Sequence, residues 1–279
     1  MRFGFHISIA GGFSKVVERA KKKRCETIQL FSRNPRGWKY PPLDKEDVKK
    51  FRKDIENSNI HPVVLHMPYL PNLASPNPDL FKRSIDSLIE DLKRAEYLGA
   101  SYLITHVGSR LDSSEEQAII RMAEGINQGL KRVKNKVILL LENTAGQGTE
   151  IGYSFSHIAR IIRLIEDKRR IGVVLDTAHA FEAGYDFRTE EALNKTLKEF
   201  DRSIGLKRLK LLHLNDSKTD IGSRVDRHWH IGEGKIGEEG FKNIVNHPLL
   251  KDLPGIMETP RKSDKEDLKN MAKIRSLVV

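Results

Sequence analysis

Cysteine is all but missing from this chain: Cys25 is the only one among 279 residues. One thiol cannot close an internal disulfide or build a thiolate metal cluster, so a disulfide-stapled scaffold and a cysteine-based metal site are both excluded. Long apolar runs are lacking as well. No stretch approaches the about 20 residues that span a bilayer, and the opening MRFGFHISIAGG has no extended apolar core of a secretion signal. The chain therefore reads as soluble and cytoplasmic, with no membrane partner. Gly11 and Gly12 do not extend into a G-x-G-x-x-G phosphate fingerprint, which argues against a dinucleotide-binding open sheet. No Pro/Gly/Ser-rich linker divides the sequence, so residues 1–279 read as one domain. Acidic side chains are in deficit, 38 against 49 Lys and Arg, for a formal charge of +11. That balance points to a polyanionic partner, nucleic acid foremost.

What the chain does have is alternation. Eight short apolar runs, Phe3–His6, Thr27–Phe31, Pro62–His66, Tyr102–His106, Val137–Glu142, Ile171–Asp176, Leu209–His213 and Gly255–Glu258, are spaced along it. Continuous apolar runs of this length fit strands buried on both faces of a parallel sheet. Between them lie amphipathic helical patterns: 45–57, 79–98, 115–133, 154–167, 190–200, 237–246 and 264–275. The second shows Leu80, Ile85, Leu88, Leu92 and Ala95 at helical spacing, with Gly99 as its stop. Eight such units in a chain of this size predict a closed (β/α)8 TIM barrel, its active site at the C-terminal strand ends. The basic clusters 21–24 and 49–53 fall on helices and read as solvated outer faces.

Ionisable residues sit at the strand ends. Runs three to eight end in His66, His106, Glu142, Asp176, His213 and Glu258. Any one of these, alone, reads as a helix cap or a satisfied core polar group. Six converging on one barrel face read as metal ligands, because three buried carboxylates would repel one another without cations. Imidazoles and carboxylates without thiolate suit Zn²⁺, and also Mn²⁺ or Fe²⁺, and six ligands suggest a bridged pair. His179 follows Asp176 on what reads as a loop. The polar segment after the seventh strand adds Asp226 with His228 or His230, enough for a third ion with His179; spacing does not choose between the two histidines. Clustered cations in a basic protein suit phosphate-ester hydrolysis. The loops 32–38 (SRNPRGW) and 67–72 (MPYLPN) carry groups suited to DNA: Arg33 and Arg36 for phosphates, Trp38, Tyr69 and Leu70 for stacking or wedging. Arg227, beside Asp226, joins them as a candidate contact.

At this point the chain resembles the endonuclease IV family of abasic-site DNA repair enzymes. The likeness runs from GFHISIAGG (4–12) to ETP (258–260). It includes HMPYLPNL (66–73), LENTAGQG (141–148), LDTAHAFEAGYD (175–186), LNDSK (214–218) and the segment from Gly222 to Gly234. The resemblance implies three zinc ions, with manganese a substitute. His66, His106 and Glu142 would hold the first. Glu142 would bridge to the second, completed by Asp176, His213 and Glu258, making Glu142 and Glu258 the candidate catalytic carboxylates beside an activated water. His179, Asp226 and His228 would hold the third. It further implies cleavage 5′ to abasic sites in duplex DNA, leaving 3′-hydroxyl and 5′-deoxyribose phosphate ends, with trimming of blocked 3′ ends, in base excision repair. An enzyme that needs an open face for duplex DNA reads as a monomer. Extruding a sugar without a base costs less than extruding a paired nucleotide. Two positions depart from the family pattern: Gly37 stands where some relatives carry a long polar side chain, and Ala178 where a cysteine is common.

Two other readings compete. A metal-dependent sugar isomerase or epimerase uses similar ligands on the same barrel but has no need of a basic surface or a third ion. A non-catalytic DNA-binding repair factor would keep salt-sensitive binding after loss of His66 or Asp176.

Overall fold

Each apolar run becomes a strand of one closed parallel barrel. The computed structural model describes residues 1–279. Its strands are β1 (Arg2–His6), β2 (Thr27–Phe31), β3 (Val63–His66), β4 (Tyr102–His106), β5 (Ile138–Glu142), β6 (Ile171–Asp176), β7 (Leu209–His213) and β10 (Pro254–Met257). They close in the order β1-β10-β7-β6-β5-β4-β3-β2. A separate two-stranded ribbon, β8 (Asp216–Ser217) against β9 (His228–Trp229), pairs antiparallel above the barrel. The helices are α1 (Val16–Lys22), α2 (Lys45–Glu56), α3 (Pro78–Leu98), α4 (Glu115–Arg132), α5 (Phe155–Leu164), α6 (Thr177–Glu182), α7 (Glu190–Ser203), α8 (Gly237–Asn246) and α9 (Asp264–Ser276). No helix is long and apolar enough to cross a membrane.

Local chemistry explains where the helices begin and end. Asn77 caps α3 by accepting from the Leu80 amide, Pro78 supplies the first turn, and Gly99 closes the helix in the left-handed region. Ser114 and Gln117 form a capping box at the start of α4.

Side-chain alternation along the strands builds the site. Val64, Ile104, Leu140, Val174, Leu211 and Ile256 form one fully buried cluster inside the barrel. Each lies two residues before one of His66, His106, Glu142, Asp176, His213 and Glu258. A period of two turns both residues of each pair to the same face, so the six apolar side chains are the floor beneath the six polar ones. Register completes the ring: His106 pairs with Glu142, and Asp176 with His213. The intervening Leu65, Leu141, Leu175, Leu212 and Met257 belong to the larger core between sheet and helices. Burial of each floor side chain contributes about 1.5–3 kcal/mol, so the site rests on a close-packed layer.

Three expectations need correction. The segment after Asp176 is helix α6, not a loop, and Asp176 is its N-cap. Glu258 lies one residue past the end of β10. The basic cluster at 21–24 is not wholly a solvated face: Lys23 is buried, with its ammonium 3.0 Å from Asp264 and in contact with Asp267.

Candidate metal centre

The barrel mouth holds a cavity of about 360 Å³, lined by His66, His106, His179, Asp226, His228 and Glu258 among others. Glu142, Asp176 and His213 lie fully buried beneath it. Ligand atoms lie within 4.8 Å of one another in three groups: His66, His106 and Glu142; Glu142, Asp176, His213 and Glu258; and Asp176, His179 and His228. Asp226 joins the last group from the loop side, its carboxylate 3.5 Å from His179 Nε2 and 3.7 Å from His228 Nε2. Glu142 stands at the centre. One carboxylate oxygen faces His66 Nε2 at 3.0 Å and His106 Nε2 at 3.2 Å, and the other faces His213 Nδ1 at 2.8 Å.

The imidazoles are aimed by hydrogen bonds on their far sides. His66 Nδ1 donates to the Met67 carbonyl at 2.6 Å, and His179 Nδ1 to the Asn143 carbonyl at 2.9 Å. His228 Nδ1 lies 3.2 Å from the Glu258 carbonyl, and His213 Nε2 donates to Gln29 Oε1 at 2.8 Å. Each ring thereby turns its other nitrogen towards the cluster, the arrangement that orients metal-binding histidines. The donor set therefore fits divalent cations: aimed imidazoles and buried carboxylates with no thiolate among them. His230 turns away, towards Asn270 at 3.1 Å, so His228 is the histidine of this segment that meets the cluster.

The electrostatics follow from the packing. Burial alone would raise the Glu142 carboxyl, but His213 and His106 outweigh it and hold the acid well below the usual carboxylate range. Burial likewise opposes a charged ring at His213, yet Glu258, Glu142 and Asp176 raise it to about 9. His179 is raised well above its ordinary value, with burial opposed by Asp176, Asp226 and Glu142. Asp226 falls to about 2, burial being overcome by His179 and His228. His213 and His179, the two rings raised furthest, thus face the buried carboxylates as the cationic side of the cluster.

Several supporting residues escaped the sequence reading. Gln29, fully buried in β2, bridges His213 to Glu258, donating to Glu258 Oε1 at 2.6 Å. Asn143 binds the Asp176 backbone on both sides, and Asn215 donates to Asp176 Oδ2 at 2.7 Å while accepting from the Glu258 amide. Asp216 gathers the amides of Ser217, Gly234, Ile236 and Gly237, fixing the loop beyond β9. The available signal was a polar residue inside an apolar run, as at Gln29, or an amide beside a ligand, as at Asn143.

The candidate DNA contacts separate. Tyr69 is 68% exposed at the cavity rim, edge-on to Phe31, and Leu70 beside it is exposed. Arg36 and Arg227 are exposed, and Trp38 is half-buried under the Arg83 guanidinium. Arg33 is a correction. Its guanidinium is buried, donates to the Gly37 carbonyl and Ser87 Oγ, stacks on Tyr40 and lies 3.9 Å from Asp91. It braces the loop from within and offers nothing to a phosphate.

Barrel and site together define the class: the family model described as xylose isomerase-like TIM barrel matches residues 17–277, and the chain is such a barrel. Within that class the chain belongs to the endonuclease 4 family. It is 47% identical to the "Probable endonuclease 4" of Halothermothrix orenii over 266 residues, covering 95% of this chain and 96% of that one. The crystal structure of endonuclease IV from Thermus thermophilus superposes with a TM-score of 0.88 at 39% identity, covering 99% and 98% of the two chains. A D-tagatose 3-epimerase-like protein shares the fold, with a TM-score of 0.75 at 16% identity over 99% and 97%.

Proposed function

We propose that this endonuclease hydrolyses the phosphodiester 5′ to abasic sites in duplex DNA, leaving 3′-hydroxyl and 5′-deoxyribose phosphate ends, and also removes blocking groups from 3′ ends in base excision repair. The observation that carries the reading is the convergence of nine His, Asp and Glu side chains on one barrel mouth in a member of the endonuclease 4 family. His66, His106 and Glu142 would hold one divalent cation, Glu142, Asp176, His213 and Glu258 a second, and His179, Asp226 and His228 a third, with zinc the expected ion. When bound, such cations polarise phosphoryl oxygens, lower the pKa of water and neutralise a leaving oxygen.

The chain's own groups supply the rest. Glu142 lies between the first two ligand sets and fixes their spacing. Glu258 faces the cavity and is held by Gln29, so it can orient a water near a bound phosphate. Exposed Tyr69 and Leu70 stand where a duplex would meet the mouth, and the excess of basic residues favours phosphate backbones. Arg36, Trp38 and Arg227 are the further contacts on this reading. One copy carries every ligand, which suits a monomer. The epimerase alternative rests on shared fold alone.

The test is incision of a labelled duplex carrying one abasic analogue, with product ends identified by mass. A single cut 5′ to the lesion by metal-loaded protein, abolished in Glu142→Gln, is expected. Equal cutting of undamaged duplex, or turnover of ketohexoses without incision, would overturn the reading.

A further inference from the structure

The His179, Asp226 and His228 trio is assembled from two pieces of chain. His179 rides on α6, whereas Asp226 and His228 come from the segment that rises from β8 and returns as β9. Something must hold these pieces in register. His179 Nε2 and His228 Nε2 lie only 3.2 Å apart, so a small slip of the segment would separate the ligand atoms.

Glu182 joins them. It lies three residues after His179 in α6 and is fully buried. Its Oε1 accepts from the Arg227 amide at 3.1 Å, between Asp226 and His228, and from Ser217 Oγ in β8 at 2.7 Å. The Glu182 carbonyl accepts from the Arg224 amide at 2.9 Å, so one residue grips the segment through side chain and backbone. Other contacts hold the segment alongside it: the Lys218 amide donates to the Arg227 carbonyl at 2.8 Å, the Gly222 amide to the Phe181 carbonyl at 3.0 Å, and the Asp226 amide to Gln147 Oε1 at 3.0 Å. Arg224 itself sits in the left-handed region at φ 54°, so the segment does not hold this shape by local preference.

The other oxygen, Glu182 Oε2, is buried and has no hydrogen-bond partner. The hydrogen bonds of the side chain thus all run through Oε1, to Ser217, Thr219 and the Arg227 amide.

We propose that Glu182 is a positioning residue that sets the spacing of His179, Asp226 and His228 by holding the Arg227 amide against α6. This rests on the reading of that trio as a third cation site. Glu182 touches no ion and no substrate; it acts through the segment.

The experiment uses the full chain, wild type against Glu182→Ala, Glu182→Met and Glu182→Gln. Met fills the volume without an acceptor, so it separates loss of the hydrogen bond from a cavity. Ser217 Oγ, already 2.9 Å from the Thr219 carbonyl, has a partner without Glu182. Two readouts are taken besides activity: hydrogen exchange of the Arg227 amide in chelator-stripped protein, and zinc per chain with affinity of the weakest ion.

In folded Glu182→Met we expect Arg227 exchange to quicken about tenfold, from loss of one hydrogen bond. The weakest zinc should loosen about 10–100-fold, the range for lost supporting contacts, with the other ions unmoved. Glu182→Gln, which keeps a carbonyl acceptor at Oε1, should restore both. Unchanged exchange and zinc affinity in folded Glu182→Met or Glu182→Ala overturns the proposal, as does a Gln variant that behaves like Met. Wild type binding only two ions would overturn the three-cation reading instead, and the exchange readout in metal-free protein would still judge the grip of Glu182 on the segment.

Discussion

Asp176 Oδ1 accepts from the backbone amide of His179 at 2.9 Å, while its Oδ2 lies 3.7 Å from His213 and 3.6 Å from His228. One carboxylate therefore caps α6 with one oxygen and faces two ligand groups with the other. Capping and a place in the candidate metal cluster, read as alternatives in the sequence, fall to two different atoms.

That division can be separated by substitution. Asp176→Asn keeps an oxygen able to cap, though its amide nitrogen then meets the Asn215 donor, and should still fold while losing zinc. Asp176→Ala should cost about 1 kcal/mol more in urea unfolding of the metal-free protein, the usual value of a cap. Equal metal-free stability of the two variants would contradict the shared role.

Gln29 offers a test of the supporting shell. Gln29→Ala removes the link between His213 and Glu258 without touching a ligand atom. Zinc affinity should fall about 10–100-fold, measured by chelator competition, with the barrel's circular dichroism unchanged. An affinity within about twofold of wild type would argue that the two ligands hold themselves.

Metal and protons should compete. His213, raised to about 9, holds protons on both ring nitrogens at neutral pH in the stripped protein, and His179 is shifted in the same direction. Zinc must displace a proton, so calorimetry at pH 7 in buffers of different ionisation heat should show proton release that fades as pH passes about 9. The sign for folding follows from the same shift. A ring whose folded pKa is raised stabilises the metal-free fold fully below its unfolded value of about 6.5, and that contribution is lost as pH climbs through about 9. Heat of binding independent of the buffer would refute this account.

Arg33 and Arg36, alike in sequence, should part in behaviour. Arg33→Ala removes one buried cation from beside Asp91, which keeps the Ser32 and Ser87 hydroxyls, and should lower stability by about 3 kcal/mol, the low end for a broken buried pair. The low end applies because burial already holds the Asp91 carboxyl up at about 6, where it can take a proton instead. Arg36→Ala should leave unfolding unchanged and reduce the salt slope of DNA binding by about one. The reverse pattern would restore Arg33 as a DNA contact.

The barrel was legible because its strands are apolar on both faces and its helices keep a helical period. The convergence of six ionisable residues at the strand ends was legible for a related reason: each breaks an apolar run at a fixed place. Glu182 was not, because its partners at Ser217 and Arg227 lie 35 and 45 residues away and nothing local marks it. Arg33 was misread because its buried partners, Ser87 and Asp91, lie on the inward face of α3, where two polar residues among leucines look like helix surface. His179 was placed on a loop because a six-residue helix leaves too short a pattern to detect.

The floor of Val64, Ile104, Leu140, Val174, Leu211 and Ile256 has a consequence for folding. The residues above it lie at the ends of six strands, spread between positions 66 and 258, so they meet only when the sheet has closed. An ion bound there favours the closed barrel over every partly unfurled form, and its binding free energy adds to that of the fold. Such ions would act as a clasp on the ring of strands, and zinc supply would then govern how long the protein survives heat and proteases.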